Sequence, residues 1–415
     1  MDNVLKKNFS YLFLLQNVNY IIPLLLLPYL TRTLGADNFG KIAFAQAFVT
    51  YFILITDFGF NTSSTQEIVR VREDKVALSK VFWSTTITKL LFAFVSLLIF
   101  ATLLIAIPKL QQMYLLLIIA FTGVLSTVLF PMWLFQGLEK MSHITWFNVI
   151  PRVLVLISTF IFVKQESDYL LALAIQTTGT FLSALACTIL ILSQKTIKFY
   201  LPGFIDIQRT IVEGWHIFAS GVATNLYTTT NTVVLGFLSN DSSVGVFSAS
   251  EKIIRAIISL FSSVSQVTFP RINTYYHESK VRALHFGNKV LKVAAFSTFV
   301  TGILLLVFAP LIVRILFGIS QYAETIVILR ISSFIPFFSI CNGILAVNLL
   351  ITFGLKRYLV KIVGAGGIFS LLLIVPAVLL YQAKGVAVVA TLTEILITIM
   401  LLYVFKKHRI KITLK

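Results

Sequence analysis

Charge is scarce in this sequence: Asp, Glu, Lys and Arg make up 12% of it, against roughly 25% in a soluble domain. Acids are the scarcer sign, 16 against 34 Lys and Arg, so the net charge is +18. Cysteine is nearly absent. Cys187 and Cys341 both sit in apolar runs, which excludes a disulfide framework and a thiolate metal site. The five histidines (His143, His216, His277, His285, His408) are scattered without metal-ligand spacing, so no metal and no cofactor is expected. Long hydrophilic stretches are missing as well. The longest connections fall near 63–81, 194–211 and 271–289, well short of the about 50 residues a soluble domain needs. That speaks against an ATP-driven pump and against a glycosyl-transferring enzyme. Alternating segments of about ten residues are absent too, which excludes a membrane barrel.

What the chain has is apolar length. Apolar residues reach 58% and the mean hydropathy is +0.92. Runs of about 20 apolar residues recur throughout, as a hydrocarbon core of about 30 Å requires. Backbone polar groups in lipid must be paired internally, and helices do this within one segment. The expected fold is therefore an all-α polytopic membrane protein of about twelve transmembrane helices. The spans lie near 10–32, 40–62, 82–106, 113–134, 145–163 and 169–193, then 212–238, 244–270, 290–316, 324–352, 358–381 and 386–405. Pro23, Pro28, Pro131, Pro336 and Pro376 are expected to kink them. Lys6 and Lys7 precede an apolar run with no small-residue cleavage site, the pattern of an uncleaved first helix.

The chain is organised around residues 28–48, PYLTRTLGADNFGKIAFAQAF. A stretch of like shape, VVLGFLSNDSSVGVFSASEK, returns at 233–252, and superposing Gly40 on Gly245 gives an offset of 205. The repeat implies two pseudo-symmetric six-helix lobes, 1–205 and 206–415, around a central cavity, the usual layout of transporters.

With the N-terminus inside, twenty Lys and Arg fall on inner segments, among them Lys6, Lys7, Lys195, Arg209, Lys411 and Lys415. Six fall on the outer side: Arg32, Lys41, Lys109, Lys164, Arg314 and Lys384. This asymmetry places both termini in the cytoplasm and accounts for the net charge without nucleic acid. Trp83, Trp133, Trp146 and Trp215 all fall near inner helix ends, as an interfacial belt would. The run Gly35–Lys41 fits G-x-x-x-x-G-K, but Ile42 stands where a phosphate loop needs Ser or Thr, and both flanks are apolar helices.

Ionisable residues inside the spans carry the sharper signal, since each costs roughly 3 kcal/mol at the bilayer centre unless it faces a cavity or a partner. Lys89 and Arg152 lie about two turns in from the cytoplasmic face; Arg32, Lys252, Arg255 and Arg330 lie in the outer half. Together they form a candidate ladder for a pyrophosphate, which arginine suits through bidentate hydrogen bonds. The plainer alternatives are pairing of Glu251 with Arg255 four residues on and snorkelling of Lys89, Arg32 and Arg330 to the interfaces. Asp57, Glu394 and Glu251 are the candidate ion-coupling acids; pairing with a cation is the equal alternative for Asp57 and Glu394. Amides such as Gln46, Asn148, Gln176, Asn231, Asn342 and Asn348 either line a path or join helices.

Residues 28–48, DFGFNTSSTQEI (57–68), FPMWLFQGLEKM (130–141) and FPRI (269–272) resemble the polysaccharide-flippase branch of the multidrug/oligosaccharidyl-lipid/polysaccharide exporter superfamily, above all the O-antigen flippases of the Wzx type. The resemblance implies two six-helix lobes in the bacterial inner membrane. It also implies movement of an undecaprenyl-pyrophosphate-linked oligosaccharide to the periplasmic leaflet, by alternating access through a cationic cavity and with coupling to an ion gradient. Other polysaccharide-assembly membrane proteins are the implied partners. Arg32, Asp57, Lys89, Arg152, Arg255 and Glu394 sit where such flippases often carry like residues; Lys252 and Arg330 match no family pattern. A multidrug exporter of the same superfamily is the alternative, although it wants an acidic cavity. A membrane glycosyltransferase or polymerase is the third, and needs a catalytic outer loop that is not visible.

Overall fold

The computed structural model describes residues 3–193, 197–318, 321–410 and 412, with side chains from Ser10 onward except Leu12 and Phe13. Lys195, Lys411, Lys415 and the side chains of Lys6 and Lys7, counted above for orientation, lie outside the described residues. Among those residues the chain is helical with no strand. It runs α1 (Asn3–Asp57), α2 (Phe60–Val71), α3 (Lys75–Ala106), α4 (Pro108–Gln112), α5 (Tyr114–Leu129), α6 (Met132–Gly137), α7 (Met141–Phe162) and α8 (Tyr169–Ser193). There follow α9 (Phe204–Asn225), α10 (Thr229–Leu238), α11 (Asp241–Glu278), α12 (Lys280–Leu316), α13 (Ala323–Ile331), α14 (Ile335–Gly343), a π-helix (Ile344–Ile351) and α15 (Lys356–Lys407).

Local chemistry sets the breaks. Gly35 interrupts α1 at φ 73°, ψ 174°, a conformation that only glycine adopts at no steric cost. Gln382 interrupts α15 at φ 47°, ψ −130°, and its side chain accepts a hydrogen bond from the Ser243 hydroxyl at 3.1 Å. Asp74 caps α3 through the backbone N–H groups of Val76 and Ala77, and Asn240 caps α11 through that of Ser243, each satisfying orphan donors of the first turn. Among the described residues seven helices are long and apolar enough to cross a membrane, eight if α13 and the bent α14–π segment, 41° apart, form one span. Two of these, α1 and α15, each hold two of the expected spans across their breaks. This is a polytopic all-α membrane protein, and its elements are consistent with twelve crossings. α9 and α11 fall short of the apolarity standard, because Ser, Thr, Asn and charged residues recur along them.

Two compact units form: Met1–Leu34 with Lys41–Val222, and Gly35–Gly40 with Ala223–Lys415. The core at one end of the first is built from Ile68, Phe82, Trp133, Phe135, Ile144 and Cys187. Trp133 is 1% exposed, so it is a core residue and not part of an interfacial belt, whereas Trp146 and Trp215 are exposed. The core of the second centres on Leu291, Ile344, Leu349 and Leu401.

In the second unit the repeated glycines make a reciprocal contact. A Cβ added at Gly40 would lie 1.8 Å from the Asp241 carbonyl oxygen, and one added at Gly245 would lie 2.0 Å from that of Ala36. Ala36 and Asp241 are themselves related by the offset of 205.

Candidate functional site

Each unit contains a polar cavity. That of the first, about 450 Å³, is enclosed by α1, α2, α5, α7 and α8 and lined by Asn61, Thr127, Asn148, Arg152, Gln176 and Ser183 among others. Arg152 is half-buried and has no hydrogen-bond or ion-pair partner among the described residues. A guanidinium so placed in a membrane helix faces a cavity by default, because lipid offers it nothing. Two neighbouring amides have partners. Asn148 donates to the Ile144 carbonyl at 2.8 Å, and Gln46 donates to Gln176 at 3.2 Å.

Pro151 shapes this wall, a role its sequence context did not announce. It has no N–H, so the Phe147 carbonyl one turn back loses its helical donor. The Ser183 hydroxyl on α8 donates to that carbonyl instead, which pairs a backbone group that lipid cannot satisfy.

Lys89 does not reach the cavity. It is 1% exposed, and its Nζ donates to Asp57 Oδ1 at 2.8 Å and to the Thr127 carbonyl at 3.4 Å. Asn61 Nδ2 donates to the same Asp57 oxygen at 2.8 Å. The pair therefore stands behind the cavity wall and holds two residues of its lining, Asn61 and Thr127, in place.

The cavity of the second unit, about 370 Å³, is lined by Tyr227, Asn231, Glu251, Arg255, Ser339 and Glu394 among others. Arg255 donates to Glu251 Oε1 from Nε at 2.9 Å and from Nη2 at 2.6 Å, the i,i+4 pairing weighed from the sequence. Glu394 Oε2 accepts from Asn342 Nδ2 at 2.7 Å, and Asn342 Oδ1 accepts from the Thr398 hydroxyl at 2.7 Å. Glu394 has no cationic partner among the described residues. The first cavity thus holds one cation, and the second holds two carboxylates and one cation.

The remaining candidates lie elsewhere. Lys252 Nζ sits 4.7 Å from the centroid of the Phe39 ring, Arg330 Nε donates to the Leu306 carbonyl at 3.3 Å, and Arg32 is exposed. None of the three lines either cavity. Among the described residues no group of His, Cys, Asp and Glu is placed to hold a metal ion.

A polar pocket of about 210 Å³ in the first unit lies in the connections read as cytoplasmic. There Arg209 bridges Glu67 at 2.9 Å and Glu213 at 3.0 Å. Lys80 Nζ lies 2.7 Å from Asp206 Oδ1, and the Tyr200 hydroxyl donates to Asp206 Oδ2 at 2.8 Å. These contacts, with Trp83 donating to the Lys198 carbonyl and Lys198 N–H to Ser79, bind the chain after residue 197 to the start of α3.

The family described as "Polysaccharide biosynthesis protein" matches residues 5–275. Two similar proteins carry the name "Putative O-antigen transporter". The one from Escherichia coli (strain K12) is 29% identical over 98% of each chain. The one from Shigella dysenteriae is 32% identical over 97% of this chain and 100% of its own. Among solved structures, the lipid II flippase MurJ in an inward closed conformation superposes with a TM-score of 0.76, 16% identity, 96% of this chain and 87% of that one. An inward-facing multidrug resistance transporter of the MATE family, MOP superfamily, superposes with a TM-score of 0.72, 16% identity and 94% of each chain.

Proposed function

We propose, from the premise that the chain belongs to the polysaccharide biosynthesis protein family, that it is a flippase for an undecaprenyl-pyrophosphate-linked oligosaccharide, an O-antigen repeat unit or similar. It moves this lipid from the cytoplasmic to the periplasmic leaflet of the bacterial inner membrane by alternating access, coupled to an ion gradient, with both termini in the cytoplasm. It is a transporter and not an enzyme. The observation that carries this reading is Arg152, a half-buried, unpartnered guanidinium lining the first cavity. A diphosphate offers it the bidentate acceptors it lacks. Arg255, held by Glu251 in the second cavity, exchanges that partner for the substrate's phosphate. Glu394, whose carboxylate faces the second cavity, takes the coupling proton or cation. The related proteins named as O-antigen transporters support the substrate class.

The test is transbilayer movement of an undecaprenyl-pyrophosphate oligosaccharide in liposomes. Wild type should move it. Arg152→Ala should lose at least about tenfold in rate, the equivalent of a single charge-assisted hydrogen bond, with unaltered thermal stability. Arg152→Lys should fall between, because lysine keeps charge without the fork. A folded wild type that moves no such lipid overturns the reading. The second reading, a drug exporter, draws on Glu251 and Glu394 in the second cavity and predicts resistance of expressing cells to cationic drugs.

A further inference from the structure

A third cavity, a groove of about 790 Å³, lies between α7 and α8, apart from the two polar ones. Its lining carries no charged residue. On α7 it takes Trp146, Ile150 and Leu154 and runs on to Phe162, which at 1.5 Å per residue is about 24 Å, most of the about 30 Å of a hydrocarbon core. Its depth comes from a close approach of the two helices: a Cβ at Gly179 would lie 2.4 Å from Val155 Cγ2.

The groove and the Arg152 cavity share one wall. Phe147, Pro151, Val155 and Ser183 line both. Around α7 the row Asn148 and Arg152 faces the cavity, the row Trp146, Ile150 and Leu154 faces the groove, and the row Phe147, Pro151 and Val155 stands between them.

We propose that the groove between α7 and α8 seats the polyprenyl chain of the lipid-linked substrate while Arg152, across the shared wall, holds its pyrophosphate. The inference rests on the flippase reading above. A bilayer phospholipid keeps its phosphate at the leaflet surface, whereas Arg152 lies about two turns of helix inside it. An anion reaching Arg152 belongs to a lipid whose head enters the protein and whose tail stays outside. A long apolar furrow directly behind that cation gives the tail a place along the membrane normal, and the absence of ionisable groups suits a hydrocarbon of any detailed structure.

The experiment uses the purified full chain in nanodiscs of phosphatidylethanolamine and phosphatidylglycerol, with a polyprenyl pyrophosphate carrying a diazirine in its chain. Photolabelled peptides should map to 146–162 and 171–186. Labelling should fall at least fivefold with excess unlabelled undecaprenyl pyrophosphate, and not with equal added phospholipid. Thr178→Trp, an exposed groove position, should fill the furrow and cut labelling to a similar degree; Leu182→Trp, also exposed, is the second variant should the first elute aggregated. Labelling that phospholipid competes equally marks an ordinary bilayer contact and overturns the proposal. So does labelling confined to other helices while wild type still transports, an outcome that leaves the flippase reading standing. Absence of both labelling and transport in folded wild type removes the flippase reading and the groove with it.

Discussion

Lys89 and Asp57 form a buried ion pair, Nζ to Oδ1 at 2.8 Å, with the lysine 1% and the aspartate 23% exposed at their side chains. Removing one partner leaves the other charged at membrane depth, and such changes cost about 3–5 kcal/mol. Lys89→Ala should therefore lower the yield of monodisperse protein and its melting temperature in detergent sharply. The double variant Lys89→Met, Asp57→Leu should recover most of that stability, because apolar replacement of a whole pair is often neutral. If transport recovers with it, the pair touches no substrate and its bonds to Asn61 and Thr127 are dispensable for transport.

Glu394 differs, since its carboxylate faces a cavity and is held by an amide, Asn342. Glu394→Gln keeps the shape and removes the charge. The expected outcome is loss of gradient-driven accumulation, with exchange at equilibrium persisting. Unchanged dependence of transport on an imposed pH or sodium gradient would exclude Glu394 from coupling.

Gly40 and Gly245 each press on a backbone carbonyl, which cannot turn aside as a flexible side chain can. Gly245→Ala should destabilise by about 1–3 kcal/mol or more, the range of overpacking. Gly364, also helical but with open space around it, provides the contrast: Gly364→Ala should stabilise by up to about 1 kcal/mol through helix propensity. Thermal unfolding followed by size-exclusion separates the two.

At the start of α9, hydrogen bonds from Lys80 first and Tyr200 second hold the Asp206 carboxyl below its ordinary value. A carboxyl with a depressed folded pKa stabilises above its unfolded value, about 4, and that stabilisation is lost as pH falls through the lower folded value. The clasp should be intact at neutral pH and open only in strong acid. Asp206→Asn should raise proteolytic cutting between residues 197 and 204 at pH 7, at a stability cost under about 1 kcal/mol, since Lys80 is half-exposed. Equal cutting of both proteins would show that the clasp does not hold this segment.

Apolar length and the glycine repeat were legible because periodicity and composition act locally along the chain. The helix breaks at Gly35, between α2 and α3, and before α11 follow from turn residues that any reader can see. Pairing was less visible. Lys89 and Asp57 are 32 residues apart, and nothing local distinguishes a lysine that meets an acid from one that meets a cavity. Arg209 counted only as an inner-side charge, yet it holds Glu67 and Glu213. Trp133 read as interfacial from its place near a helix end, but α6 turns it into the core. Pro151 carries no local signal of its role, because its consequence, a carbonyl needing a donor, is answered by Ser183 on another helix.

That last bond sets an energy scale. In the bilayer no water stands ready to replace the Ser183 hydroxyl at the Phe147 carbonyl, so changing the bend of α7 against α8 means leaving one carbonyl bare, at about 1–3 kcal/mol. On a Boltzmann footing, a wall fastened by that one bond spends between roughly a sixth and one part in a hundred and sixty of its time unfastened. The wall between groove and cavity thus has, at this one bond, a stiffness that can be put in numbers.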